Sequence, residues 1–387
     1  MQKFSVTIQG TSLKRLIVVV IVGIIALFIV TGMLTSFEPG YGLTSVSVHE
    51  WANHLSGEDF VHVIGLENQY FKQNLPEGTE TLKLSPFFFR LLTSINPDDP
   101  RSLLGSELPG FALYDGRIIV AGEGTDYTNM PIESAPPMEV LMAEREAIYK
   151  KVQQDEPAKQ NPAMTTGGRK VVHIIHTHTR ESFLPELKEG LTANEAWHGE
   201  VNVTLVGERM AKTLEGYGIG TQVDKTDFQN ILLERDWGYG KSYAASREVL
   251  QKAITSNGDL EFFFDIHRDD RKRNITTVNI NGQDYARPYF VIGENNEHAE
   301  YNKMLAQELH ERLEKDFPGL SRGVIGYGGP GRNGLYNQDL SKNSLLIEMG
   351  GVENSLEEVY RTVDAIAKVF SEYYWQQQKA EHKEEAS

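Results

Sequence analysis

Val171-Val-His-Ile-Ile-His-Thr-His-Thr-Arg-Glu-Ser-Phe183 decides how this chain is read. The apolar run from Val171 to Ile175 has the length and β-branched content of a buried strand. It runs straight into His176, His178 and Glu181. The HxxE spacing lets an imidazole and a carboxylate converge from a strand-end turn. Two further apolar runs end the same way. Phe262-Phe-Phe-Asp-Ile-His-Arg-Asp269 delivers His267, and Ser344-Leu-Leu-Ile-Glu-Met-Gly-Gly351 delivers Glu348. Open α/β sheets build their sites at the carboxyl ends of strands. Three ionisable strand ends therefore point to one site.

The residue types point to a divalent metal. His178, Glu181 and His267 make a His₂Glu set, which suits zinc with one position left open. Such an ion polarises a scissile carbonyl and acidifies water near neutral pH. Glu348 fits the proton carrier between that water and a leaving amine. The expected chemistry is amide hydrolysis. Two choices stay open: Glu200 competes with Glu181 as the carboxylate, and His176 competes with the preferred His178. His198 is a further outsider, His173 is read as structural, and Asp265 is placed to orient a ring from behind. Arg268 joins Glu348 in the expected catalytic set. Arg268, Arg271 and Arg287 are expected around the pocket, suited to a substrate carboxylate. The glycine-rich stretch Gly326–Gly334 and Tyr336-Asn-Gln-Asp339, with Asn337, are expected to grip substrate.

Bulk properties narrow the class. The 387 residues carry a formal net charge of −16, which argues against a nucleic-acid partner. There is no cysteine, so any metal must use His, Asp, Glu or water. No nucleophile elbow and no phosphate-binding loop occurs. Near the start, Leu16–Leu34 is uncharged and long enough to span a bilayer as a helix. Lys3, Lys14 and Arg15 precede it, which places residues 1–15 in the cytoplasm and the rest outside. The Leu34-Thr-Ser-Phe-Glu-Pro sequence offers no Ala-x-Ala cleavage site, so the segment is expected to stay as a single-pass anchor.

Beyond the anchor, residues 36–153 read as a smaller membrane-proximal region, with a brief strand at Ile118–Gly122 and a helix at Glu139–Gln153. Residues 154–169 are a linker by composition. Residues 170–375 alternate strand and helix signals, which predicts an α/β catalytic domain: a three-layer sheet with helices on both faces. Helices are expected over 202–215, 242–254, 302–317 and 355–375. Asn281-Gly282 signals a hairpin turn, whose second strand is read as a run reaching Val291-Ile292. Residues 376–387 read as a charged, disordered tail.

The combination of His176-Thr-His-Thr-Arg-Glu-Ser-Phe183, Asp265-Ile-His-Arg-Asp269 and Leu346-Ile-Glu-Met-Gly-Gly-Val-Glu-Asn-Ser-Leu-Glu-Glu358 resembles the stage II sporulation protein P family. That family is similar to zinc-dependent N-acetylmuramoyl-L-alanine amidases. The Ile-His strand end matches His267, and the strand-end Glu with its following Asn matches Glu348 and Asn354, and Asn354 is expected to bind substrate with Arg271, Arg287 and Asn337. The amidases' Gly-His-Gly-Gly loop is replaced here by His-Thr-His-Thr-Arg-Glu. The resemblance implies a zinc enzyme that cuts peptidoglycan between the lactyl group and L-alanine, with an added endopeptidase activity on crosslinks. It further implies work beside stage II sporulation proteins D and M during engulfment. A zinc carboxypeptidase-like enzyme and a non-catalytic, partner-recruiting anchor are the rival readings.

Overall fold

The computed structural model describes residues 116–133, 135–148, 162, 164–328 and 334–385. The expected span at 16–34 and most of the membrane-proximal region lie outside the described residues. Among the described residues no helix is long and apolar enough to cross a membrane.

Among the described residues nine strands form: β1 (Arg117–Ala121), β2 (Val172–Ile175), β3 (Thr221–Val223), β4 (Phe262–Asp269), β5 (Thr277–Ile280), β6 (Gln283–Ala286), β7 (Pro288–Gly293), β8 (Gly323–Tyr327) and β9 (Ser344–Gly351). Seven of them make one mixed sheet in the order β1-β8-β7-β9-β4-β2-β3. Strands β3, β2, β4 and β9 are mutually parallel, whereas β7 runs antiparallel to β9, and β1 runs antiparallel to β8. The brief strand expected near Ile118 thus forms an edge of this same sheet.

Helices cover both faces, as the βα alternation predicts. On one face lie α2 (Thr204–Gly216), α6 (Ala299–Asp316) and α7 (Leu356–Glu385), packed on Val172, Ile174, Phe262, Phe264, Ile266, Leu345 and Ile347. Phe262 and Phe264 meet the Phe370 ring edge to face, with centroids 5.0 and 5.1 Å apart. On the other face, α3 (Phe228–Glu234) and α4 (Ser242–Ser256) pack on Ile175 and Phe263. Side chains alternate along a strand, so Asp265, His267, Leu346 and Glu348 share the α3/α4 face.

Several expectations need correction. In its described part, residues 139–148, the helix expected over 139–153 is only one turn, α1 (Met138–Met142); Ala143 is extended and Ala147 bridges Leu187. The described end of the expected linker is fastened to the domain, with Thr166 N donating to Gly218 O at 2.9 Å. The Asn281-Gly282 turn is real: both residues have positive φ, 53° and 82°, as a two-residue type I′ turn requires. Its partner strand is β6, however, and β7 leaves the hairpin for the main sheet, because its six buried residues need covering on both faces. A single turn, α5 (Arg273–Thr276), precedes the hairpin. The C-terminal helix does not stop at Trp375 but continues to Glu385, through residues of high helix propensity.

Candidate metal centre

Two elements deliver the cluster. The loop leaving β2 carries His178 and Glu181, and β4 carries His267. All three side chains are buried, and their ligating atoms lie within 4.8 Å of one another. Glu181 sits between the two rings, with Oε1 3.3 Å from His178 Nδ1 and Oε2 3.6 Å from His267 Nδ1. The rings stand edge to face at 4.6 Å. Glu348 is the register partner of His267 across β4 and β9. One register step on, β9 holds an extra residue against β4, a bulge containing Gly350 at φ +76°. A Cβ there would lie 2.6 Å from Ala286 Cβ, so the glycine after Met349 is a steric requirement.

The surroundings fix these groups. The backbone N–H of Arg268 donates to Glu181 Oε2 at 3.0 Å. Asp265 Oδ1 lies 3.0 Å from His267 Nε2, and Asp265 itself accepts from Thr177 N and Thr177 Oγ1 at 2.8 and 2.6 Å. Tyr239 stacks on His178 at 4.6 Å, and Tyr243 meets both rings. Burial alone would lower the His267 pKa; Asp265, then Glu181, more than offset it and push it well up. Burial raises Glu181, but the neighbouring His178 and His267 imidazoles outweigh it and hold it well down. Glu348 is pushed well above the carboxylate range, first by burial and further by Glu181, with His267 opposing.

A divalent ion fits this donor set. His178 Nδ1 is buried and makes no hydrogen bond among the described residues, although Glu181 is close. Two imidazoles and one carboxylate, with no thiolate anywhere in the chain, are borderline-to-hard donors.

Beside the cluster lies a cavity of about 680 Å³, reached by His178, Glu348 and Glu133 and walled by Tyr239, Tyr243, Tyr327 and Tyr336. Asn337 lines it, held in a left-handed conformation (φ 56°) by bonds to Tyr243 O and Ser246 Oγ, both 3.0 Å. Residues 329–333 of the glycine-rich stretch lie outside the described residues.

The arginines do not surround the cavity. The Arg268 guanidinium bonds Asp270, Ser182 O and Ala196 O, and stacks on Trp197. It follows His267 directly, and alternation turns it away from the site. Arg271 holds Met130 O at 2.6 Å, and Arg287 holds Gly319 O and Glu123 O. The cations that line the cavity are Lys241 and Arg247, the latter paired with Asp339. Asn354, expected at the substrate, is instead buried beneath the end of β9, bonding Gly351 N, Thr277 Oγ1 and Glu358. The remaining alternatives separate cleanly. His176 packs against Gly207 of α2 on the opposite face, and its Nδ1 bonds Asp224 O at 3.0 Å. Glu200 is exposed outside the cluster, and His198 closes its own turn by accepting from Glu200 N and Val201 N.

Sequence reasoning missed Glu133, Tyr239, Tyr243 and Lys241. Glu133 Oε1 lies 3.2 Å from His178 Nε2. The buried Tyr239 hydroxyl has no hydrogen-bond partner among the described residues. All four belong to loops or to the start of a helix, where no apolar run ends in a ligand. The Pro-rich context of Glu133 read only as a chain break.

The stage II sporulation protein P family model matches residues 98–371. Stage II sporulation protein P of Bacillus subtilis (strain 168) is 46% identical over 379 residues, 97% of this chain and 94% of that one. Among solved structures, the CwlD amidase from Clostridioides difficile in complex with the GerS lipoprotein shares 15% identity; it covers 54% of this chain and 99% of its own, with a TM-score of 0.34. A metallo-carboxypeptidase from Burkholderia cenocepacia shares 14% identity over 56% of this chain and 60% of its own, with a TM-score of 0.33. With a family model spanning most of its length and a near full-length relative, the chain belongs to the stage II sporulation protein P family.

Proposed function

We propose that this chain is a membrane-anchored peptidoglycan hydrolase in which His178, Glu181 and His267 hold zinc. Its bond is the amide between the glycan's lactyl group and L-alanine, with peptide crosslinks as a second target. The observation that carries this reading is the convergence of two imidazoles and a carboxylate beside Glu348, at the edge of a cavity large enough for a peptide. Bound zinc supplies a Lewis acid that polarises the amide carbonyl and acidifies water.

The chain's own groups do the rest. Glu348, on the cavity wall with a buried Oε2 free of hydrogen bonds, takes a proton from water and passes it to the leaving amine. Burial, which raises its pKa, favours the neutral form it takes on accepting that proton. Burial keeps the Tyr239 and Tyr243 phenols protonated, so they serve as donors or apolar walls rather than anions. Lys241 takes the role first given to the arginines and meets a carboxylate of the stem peptide. The anchor at residues 16–34 sets this domain outside the cytoplasmic membrane at the engulfing septum, beside stage II sporulation proteins D and M.

Product analysis on purified wall tests the reading. The expected products are intact glycan lactyl groups and new N-terminal L-alanine. Release of single terminal amino acids alone supports the carboxypeptidase reading instead, and no release from zinc-loaded protein contradicts hydrolysis altogether.

A further inference from the structure

Resting on the metal reading above, we infer that Glu133, from upstream of the expected catalytic region, is the positioning residue for the ring of His178. The two imidazoles are arranged alike. Each turns Nδ1 toward Glu181, at 3.3 Å for His178 and 3.6 Å for His267. Each turns Nε2 toward a second carboxylate, Glu133 at 3.2 Å and Asp265 at 3.0 Å. An imidazole that ligates through one nitrogen carries its proton on the other. A carboxylate there selects the tautomer, fixes the ring plane and strengthens the ligating nitrogen. Glu133 does for His178 what Asp265 does for His267.

The two supports differ in origin. Asp265 stands two residues before His267 on the same strand. Glu133 arrives on an irregular segment that is tied to the end of β4. Ile132 N donates to Asp269 Oδ1 at 2.9 Å, Asp270 N donates to Ile132 O at 3.0 Å, and Arg271 Nε donates to Met130 O at 2.6 Å. The buried Arg322 clamps both sides, bonding Asp269 Oδ2 at 2.6 Å and Asn129 O. The segment is thereby fixed to the strand that bears His267. Glu133 is 44% exposed, and its carboxylate meets the His178 ring directly.

The test is a zinc titration of the full-length chain against a chromophoric chelator, with the visible spectrum of the cobalt-substituted protein as a second readout. Glu133→Ala is expected to weaken zinc binding about 10- to 100-fold and to alter the cobalt spectrum. Glu133→Gln, which keeps an acceptor oxygen, is expected to recover most of the affinity. The melting temperature of the metal-free protein should be unchanged in both. Wild-type affinity in Glu133→Ala overturns the inference, and so does a Gln variant no better than Ala. If the wild-type chain itself takes up no zinc, the metal reading fails and the inference falls with it.

Discussion

His176 and His178 are two residues apart and live on opposite sides of the sheet. His176 is packed against Gly207 in the α2 layer, where burial drives its pKa down to about 4. His178 is turned toward Glu181 and His267, at the wall of an open cavity. One face of the sheet thus uses a histidine as a neutral packing piece, while the other gathers histidines around a carboxylate. The residue type is the same; the strand-end geometry decides whether it is architecture or chemistry. Variants on the two faces should therefore separate metal binding from stability.

The largest effect belongs to the cluster face. His178→Ala and His267→Ala are expected to lose bound zinc and wall hydrolysis to the assay floor, while His176→Gln keeps both. Zinc content by mass spectrometry and dye release from labelled wall check this; zinc loss in His176→Gln breaks the contrast. Next comes Glu348→Gln, which should retain zinc and lose about 10²- to 10⁴-fold in turnover, the usual contribution of a proton-transfer group.

Acid separates the faces in a different way. The His176 pKa is depressed in the folded protein, so its stabilising contribution is present above pH 6.5 and is lost as pH falls toward 4. A drop of about 2.5 units corresponds to roughly 3 kcal/mol. Chemical denaturation of metal-free protein at a series of pH values should show wild type losing stability across that window, with a shallower slope in His176→Gln. Parallel slopes contradict the assignment. Gly207→Val places a Cβ 2.2 Å from His176 Nε2 and should cost about 1–3 kcal/mol, with zinc stoichiometry unchanged. The smallest effect concerns the cations. Lys241→Ala should raise KM for wall peptides about 3- to 10-fold, near 1 kcal/mol, and Arg287→Ala should leave KM alone.

Much of the site was legible because it sits where periodic segments end. The apolar runs ending in His267 and Glu348 are β4 and β9, and strand alternation puts both residues on one face. The same alternation misled where residue type was read without it. Arg268 and His267 are adjacent in sequence and therefore turned apart in space. Glu133 and Tyr239 carried no such signal, since irregular segments meet the site through tertiary contacts that no period encodes. The same holds for β6 and β7, where the Asn281-Gly282 turn was plain but the exit of β7 into the main sheet was decided by burial. The tail was misjudged by charge alone, although its Gln, Lys and Glu residues favour helix.

The most direct test of the central claim is zinc-edge X-ray absorption on the full-length protein. One zinc per chain is predicted, with two imidazole nitrogens near 2.0–2.1 Å and carboxylate oxygen near 2.0–2.2 Å, and no stoichiometric zinc in His178→Ala or His267→Ala. A wild-type protein that takes up no stoichiometric zinc, or variants that keep the wild-type zinc shell, contradict the account.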